Sequence, residues 1–210
     1  MKKIIQIVLA VVIVALGYYA VDMVYSSIYF QKQTDARKAV VIERIKDIRS
    51  AQRSFKQVNQ RYTSSFDTLI NFVLNDSLVM ERKLVDEDDS VAMAALKAKK
   101  IKNVEKFSMA VIAPIFSPKK LTEQDVRNFR FIPGTNSQAE FLMDAGVVTV
   151  GNVPVPVMVC KAPYKLFLDT VKYRQELINL VDECKNIYNK YPGIKVGDLD
   201  QPNNEAGNWE

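Results

Sequence analysis

Residues 4 to 21 read IIQIVLAVVIVALGYYAV, an uncharged run in which Gln6 is the one strongly polar side chain. At about 1.5 Å rise per residue, a helix of this length just crosses a hydrocarbon core, and Met23 and Val24 extend it at the far boundary. Lys2 and Lys3 precede the run, while Tyr18, Tyr19, Tyr25 and Tyr29 cluster at its distal end. Positive charge on the short side predicts a cytoplasmic amino terminus, and the tyrosines fit the aromatic belt of the opposite interface. The expectation is a single-pass inner-membrane protein whose bulk is periplasmic and whose residues 4–24 contact lipid. The rival is a cleaved signal peptide, with Lys2 and Lys3 as its basic region, Ile4 to Leu16 as its apolar region, and Ala15 and Gly17 as a small-residue site. Against it, apolar character continues past Gly17 and no cysteine follows the site for lipidation. Both readings export the remainder.

Beyond the run, residues 31 to 61 contain neither Gly nor Pro and are mostly good helix formers, so the anchor is expected to continue as one long helix. Val41, Ile45, Ile48, Gln52, Phe55, Asn59 and Tyr62 recur at alternating spacings of three and four, which puts them on one stripe, with Arg44, Lys46, Asp47, Arg49 and Arg53 off it. Packing by the rest of the chain is the simpler use of that stripe. A coiled-coil or subunit contact through Val41, Ile45, Ile48, Phe55 and Tyr62 is the alternative, although Gln52 and Asn59 interrupt it. The helix should stop between Asn59 and Thr63, with Ser64 or Ser65 capping a short second helix that carries Phe66, Leu69, Ile70 and Val73. The organisation expected is 1–30 as membrane anchor and interfacial flank, 31–62 as the amphipathic helix, and 63–210 as a soluble α+β domain.

This order of parts, with Ala51, Gln52 and Phe55 as A-Q-x-x-F and then Asn59, Arg61, Tyr62, Thr63, Phe66 and Leu69 as N-x-R-Y-T-x-x-F-x-x-L, resembles the first helix and following turn of type IV pilins and type II secretion pseudopilins. The likeness covers about the first third of the chain. It implies a subunit of a secretion or pilus-like assembly, with other envelope proteins or copies of itself as partners. The chain departs from the pilin pattern before the apolar run, where pilin precursors carry Gly-Phe and a glutamate; here only Lys2 and Lys3 precede Ile4. Gly17, Tyr18 and Asp22 mimic that spacing on the other side of the run.

From Ser77 onward the grain alternates. Residues 78–85, LVMERKLV, read as a strand, and 90–105 as a helix capped by Asp88 to Ser90. The patch Asp86, Glu87, Asp88 and Asp89 has the oxygen ligands a calcium ion wants, but neither EF-hand spacing nor its glycine, so a capped, solvated turn is the expectation. FSMAVIAPIF (107–116), FRFIP (129–133), AEFLMDAGVVTV (139–150) and VPVPVMVCKA (153–162) read as strands of an antiparallel sheet. Pro154 and Pro156 cannot donate to a ladder, which predicts that their strand lies at an edge or begins after them. An edge of this kind could also accept a partner strand. A helix is expected over 163–190, with Leu166, Leu168, Val171, Leu177, Ile178, Leu180, Val181 and Ile187 as its apolar face. Tyr191, Pro192 and Gly193 stop it, and an irregular tail ends in Trp209. In this tail and in FDTLINFV (66–73), the whole chain resembles a group of envelope proteins from Bacteroidota, which implies a setting and no biochemical activity.

Composition narrows the chemistry. A hydrophobic fraction of 48%, 25% charged residues and a formal net charge of +5 suit one globular domain beyond an anchor. Acidic residues are interspersed among the basic ones, and no run has the interleaved aromatics of a nucleic-acid patch, so no nucleic acid is expected. The chain has no histidine, which removes nucleophile–histidine arrangements, histidine metal sites and histidine bases. Phosphate-cradling glycine motifs are missing, and no cofactor is expected. The carboxylates Asp125, Glu140, Asp144, Asp169 and Asp182 fall in no recognisable acid–base constellation. Cys160 and Cys184 would form a disulfide only if the fold brought their Cα atoms within about 7 Å.

Overall fold

A computed structural model describes residues 2–85, 103–112, 116, 119 and 121–210. The chain is a mixture of helix and antiparallel sheet in which one helix, α1 (Lys2–Asn59), runs unbroken for 58 residues. At the standard rise this is about 87 Å. Its apolar first part lies in the open: from Lys3 to Tyr25 no residue is even half-buried. Burial begins at Phe30, and from Thr34 to Phe55 one face of α1 is the spine of the core.

Val41, Ile45, Ile48 and Ala51 are fully buried there, with Phe55 and Tyr62 nearly so, and all belong to one cluster with residues from the rest of the chain. The stripe is thus covered by its own chain. Gln52, which breaks the apolar pattern, is also fully buried. Its amide nitrogen donates to the carbonyl of Thr63 at 2.6 Å and its oxygen accepts from the Thr63 N–H at 3.2 Å. The polar interruption therefore clamps the turn that ends the helix, while Asn59 stays exposed. Gln60 takes a left-handed conformation, φ 58°, and its N–H closes on Lys56 O.

Ser65 caps α2 (Phe66–Asn75), its hydroxyl accepting from the Thr68 N–H, and Phe66, Leu69, Phe72 and Val73 turn inward. Phe55 meets Phe72 edge-on at 5.2 Å. The strands β1 (Ser77–Lys83) and β2 (Val104–Ala110) pair antiparallel, Ser77 opposite Ala110 and Lys83 opposite Val104. Val104 and Glu105 thus open a strand rather than close a helix. Residues 90–102 of the expected 90–105 helix, its cap and the acidic patch at Asp86 to Asp89 lie outside the described residues. The 107–116 run stays extended only to Ala110; Ile112 and Phe116 have helical backbone.

One expected β run takes another form, and another takes a different place in the sheet. Thr122 and Asp125 form a capping box that starts α3 (Glu123–Arg127), and a 3₁₀ turn over Asn128–Arg130 follows. FRFIP is therefore a helical exit with an isolated bridge, Phe131 opposite Glu140, and it drives Phe129 and Ile132 into the core. The main sheet has the order β3 (Leu142–Val150), β4 (Val153–Pro163), β5 (Gly193–Gly197), all antiparallel. The proline strand β4 is central, contrary to expectation. Its prolines are tolerated because β5 pairs only with Val159 to Pro163, leaving Pro154 and Pro156 bonded on the β3 side alone.

The helix expected over 163–190 is broken into α4 (Tyr164–Phe167), a turn, α5 (Arg174–Asp182) and one π turn over Glu183–Ile187. Leu168, Leu177 and Val181 are buried, but Val171, Ile178 and Ile187 are exposed. The tail is less irregular than expected, since Gly193–Gly197 is a strand. Gly197, at φ 75°, lies so close to the backbone of Met158 and Val159 that a Cβ there would collide with Met158 O.

Candidate functional site

Two features beyond the core have an organised chemistry: a polar seam where the tail crosses α1, and the open side of the main sheet. The seam starts from Arg49, Arg53 and Lys56, which follow one another up α1, and from Tyr62 just after the turn. Glu205 reaches them from the tail and is only 8% exposed. Its carboxylate accepts from Arg53 Nε at 2.8 Å and from the Tyr62 hydroxyl, which in turn accepts from Lys56 Nζ at 3.1 Å. Arg49 donates to Glu205 O at 3.2 Å and to Glu210 Oε1 at 2.6 Å.

Asn204 and Glu205 both have left-handed backbone, φ 55° and 51°. For a glutamate this strain persists only where the surroundings fix it, here through the Arg53 and Tyr62 bonds. The cleft beside it, about 200 Å³, is lined by Lys56, Tyr62, Asp198 and Glu205 together with Val155 to Met158. A buried carboxylate held by a guanidinium and a phenol is tied as an acceptor, so this constellation locks the tail rather than offering a free base.

The two outer edges of the main sheet are treated differently. Along β5 the tail acts as a cover: Gly197 N–H donates to Ala206 O, Asn208 N–H to Lys195 O, and Lys195 N–H to Asn208 Oδ1. Trp209 follows, half-buried against the core. Among the described residues, strand β3 pairs with β4 alone. Past Asp144 it carries no charge, and Val147 and Val150 are exposed, as is Val153 across the Gly151–Asn152 turn. A bare row of backbone donors and acceptors beside exposed valines is the geometry that accepts another strand.

The carboxylates singled out by sequence are dispersed into structural tasks. Asp125 is the N3 residue of the capping box, and its bonds from the Thr122 hydroxyl and N–H hold its pKa below the usual value. Asp169 accepts from the N–H groups of Lys172 and Val171, which lowers its pKa too. Glu140 faces Arg130 at 3.5 Å, and Asp144 accepts from the neighbouring Ala145 N–H. Asp182 is exposed. Among the described residues no cluster of His, Cys, Asp or Glu could hold a metal ion.

Cys160 and Cys184 are both free thiols, not a disulfide. Burial pushes the Cys160 thiol up to about 12 and raises that of Cys184 as well. Glu205 escapes sequence reasoning because its partners on α1 lie about 150 residues away. The open edge was visible as a possibility, but attached to the neighbouring strand. Comparison with protein-family models, with curated proteins and with solved structures gives no match for this chain.

Proposed function

We propose that this chain is a non-enzymatic, single-pass envelope protein, a subunit of an inner-membrane secretion or pilus-like assembly that presents a periplasmic docking domain. Residues 4–24 are the anchor, with the amino terminus cytoplasmic. An exposed helix of that length and composition has few favourable environments other than lipid. The observation that carries the assembly reading is the contrast between the covered edge of β5 and the uncovered, apolar edge of β3. Solvent-exposed edges are ordinarily blunted by charge, and β3 beyond Asp144 has none.

Affinity purification from detergent extracts tests this. The expected result is a stoichiometric set of membrane partners that is lost when Val147 and Val150 are both replaced by lysine, with domain melting unchanged. A monodisperse lone protein, or undiminished partners in the lysine variant, overturns it.

A filament subunit of pseudopilin type is the second reading. It is favoured by the single helix whose bare apolar half projects from a domain packed on its other half. A cut and methylated amino terminus would support it over a fixed assembly subunit. A binding module for a cell-wall or lipid ligand has less support, because the clefts of about 200, 400 and 550 Å³ all carry charged walls, Lys56 and Glu205 in the first, Lys38 and Glu176 in the second, Arg130 and Glu140 in the third.

A further inference from the structure

The segment between α4 and α5 descends along α1 toward the apolar run. Arg37 Nη1 donates to Phe167 O at 2.7 Å, the rings of Phe30 and Tyr173 stand 5.5 Å apart, and Ser26 Oγ donates to Glu176 Oε1 at 2.7 Å. From the level of Arg37 to that of Ser26 the drop is about 16 Å at helical rise. Helix α5 then climbs back along α1, its Glu176 and Leu180 and the following Glu183 lining one cleft with Ser27, Thr34 and Lys38. The turn from Asp169 to Gln175 therefore lies on the side toward the apolar run, with Tyr173 at the level of Phe30, about 9 Å along the helix from Val24, and Glu176, the residue after the turn, at the level of Ser26.

At this point stands Val171, 89% exposed, more than any other large apolar side chain among the described residues, those of the apolar run included. The turn is held in shape, since Asp169 Oδ1 accepts from the N–H groups of Val171 and Lys172 at 3.0 and 2.9 Å. Lys172 and Arg174 follow the valine and are exposed; Lys172 stands over the Tyr173 ring at 5.0 Å, and Arg174 makes no ion pair among the described residues. The acids nearby are occupied: Asp169 by the turn and Glu176 by Ser26. Asp22, about one helical turn below Ser26, and Asp35 and Glu183, which line the cleft between α1 and α5, are the other negative groups on that side. An exposed apolar side chain followed by two cations, in a turn just beyond the end of an apolar helix segment, matches the layered chemistry of a lipid headgroup zone.

We propose that the Asp169–Gln175 turn is a second membrane contact, in which Val171 enters the lipid headgroup layer and Lys172 and Arg174 meet lipid phosphates. It rests on the membrane reading of residues 4–24. The test uses the full chain in nanodiscs of phosphatidylethanolamine and phosphatidylglycerol whose acyl chains are brominated both near the headgroup and near their ends. With Trp209→Phe removing the one native tryptophan, single tryptophans are introduced as Val171→Trp, Val12→Trp and Val147→Trp.

The expected result is strong quenching at positions 12 and 171 and none at 147. Adding Lys172→Glu and Arg174→Glu should cut the quenching at 171 without changing that at 12. Quenching at 12 with a position 171 no different from 147, as when a protein partner rather than lipid covers the turn, overturns the second contact and leaves the anchor standing. An unquenched position 12 overturns the anchor and the contact with it. Unchanged quenching at 171 in the double glutamate variant overturns the phosphate contacts.

Discussion

The two halves of α1 are made by the same helical backbone and behave as different materials. From Ile4 to Tyr25 nearly every side chain is apolar or aromatic, all round the helix, and all are exposed. From Thr34 to Phe55 the large apolar residues other than Val40 fall on one face, and that face is buried. Helix propensity does not distinguish the halves; the angular distribution of apolar groups does. A helix apolar all round asks for an apolar solvent, whereas a striped one asks for a protein.

Four substitutions or conditions bear on that contrast. Ile48→Ala should cost the domain roughly 2–5 kcal/mol, because the cavity is walled by α1 and its cluster partners, while Ile13→Ala should leave domain melting unchanged. Equal effects in thermal melts would erase the distinction. Val12→Lys works in reverse: it should disfavour membrane insertion by about 2.5–3.5 kcal/mol with no change in domain stability. Carbonate extraction reads this, and a fully membrane-bound variant would contradict the proposed anchor.

Gln52→Leu sharpens the boundary of the second half. It leaves the N–H and C=O of Thr63 unpaired, for a loss of about 1–3 kcal/mol in denaturant unfolding. An unchanged midpoint would mean that the turn does not depend on this clamp.

The smallest effect is on the tail. The bond from Arg49, then that from the Gly207 N–H, hold Glu210 below its ordinary 4.5. A depressed folded pKa stabilises the folded form above the ordinary value, and that stability is lost as pH falls through the depressed one. Trp209 fluorescence should therefore report the tail loosening only in acid below 4.5, and Arg49→Ala should move that loosening to higher pH. A titration indifferent to Arg49→Ala would dissociate the tail from α1.

What the sequence made legible follows from how local the deciding interactions are. The length of α1, its stripe and the cap at Ser65 rest on spacings of three or four residues, and all can be read along the chain. FRFIP was misread because β-rich composition outweighed a start signal just upstream, the three-residue spacing of Thr122 and Asp125. The helix through 163–190 fails at Asp169, whose side chain bonds the backbone two and three residues on and so competes with helical hydrogen bonds. GIKVG becomes a strand because β4 lies beside it, and nothing within five residues announces that. Of the seam, only Tyr62 was marked, and for its apolar ring; its hydroxyl matters because of Glu205, which only the folded tail brings near.

The absence of glycine and proline from Asp22 to Asn59 has a geometric consequence for the β3 edge. With no hinge between the apolar run and the core, azimuth and height of the domain are coupled by the pitch of one helix. Each residue added to or removed from α1 around position 28 would swing the edge by about 100° and shift it axially by about 1.5 Å. A seven-residue insertion would restore its bearing to within about 20° while lifting it by about 10 Å, so the facing direction repeats only at discrete elevations.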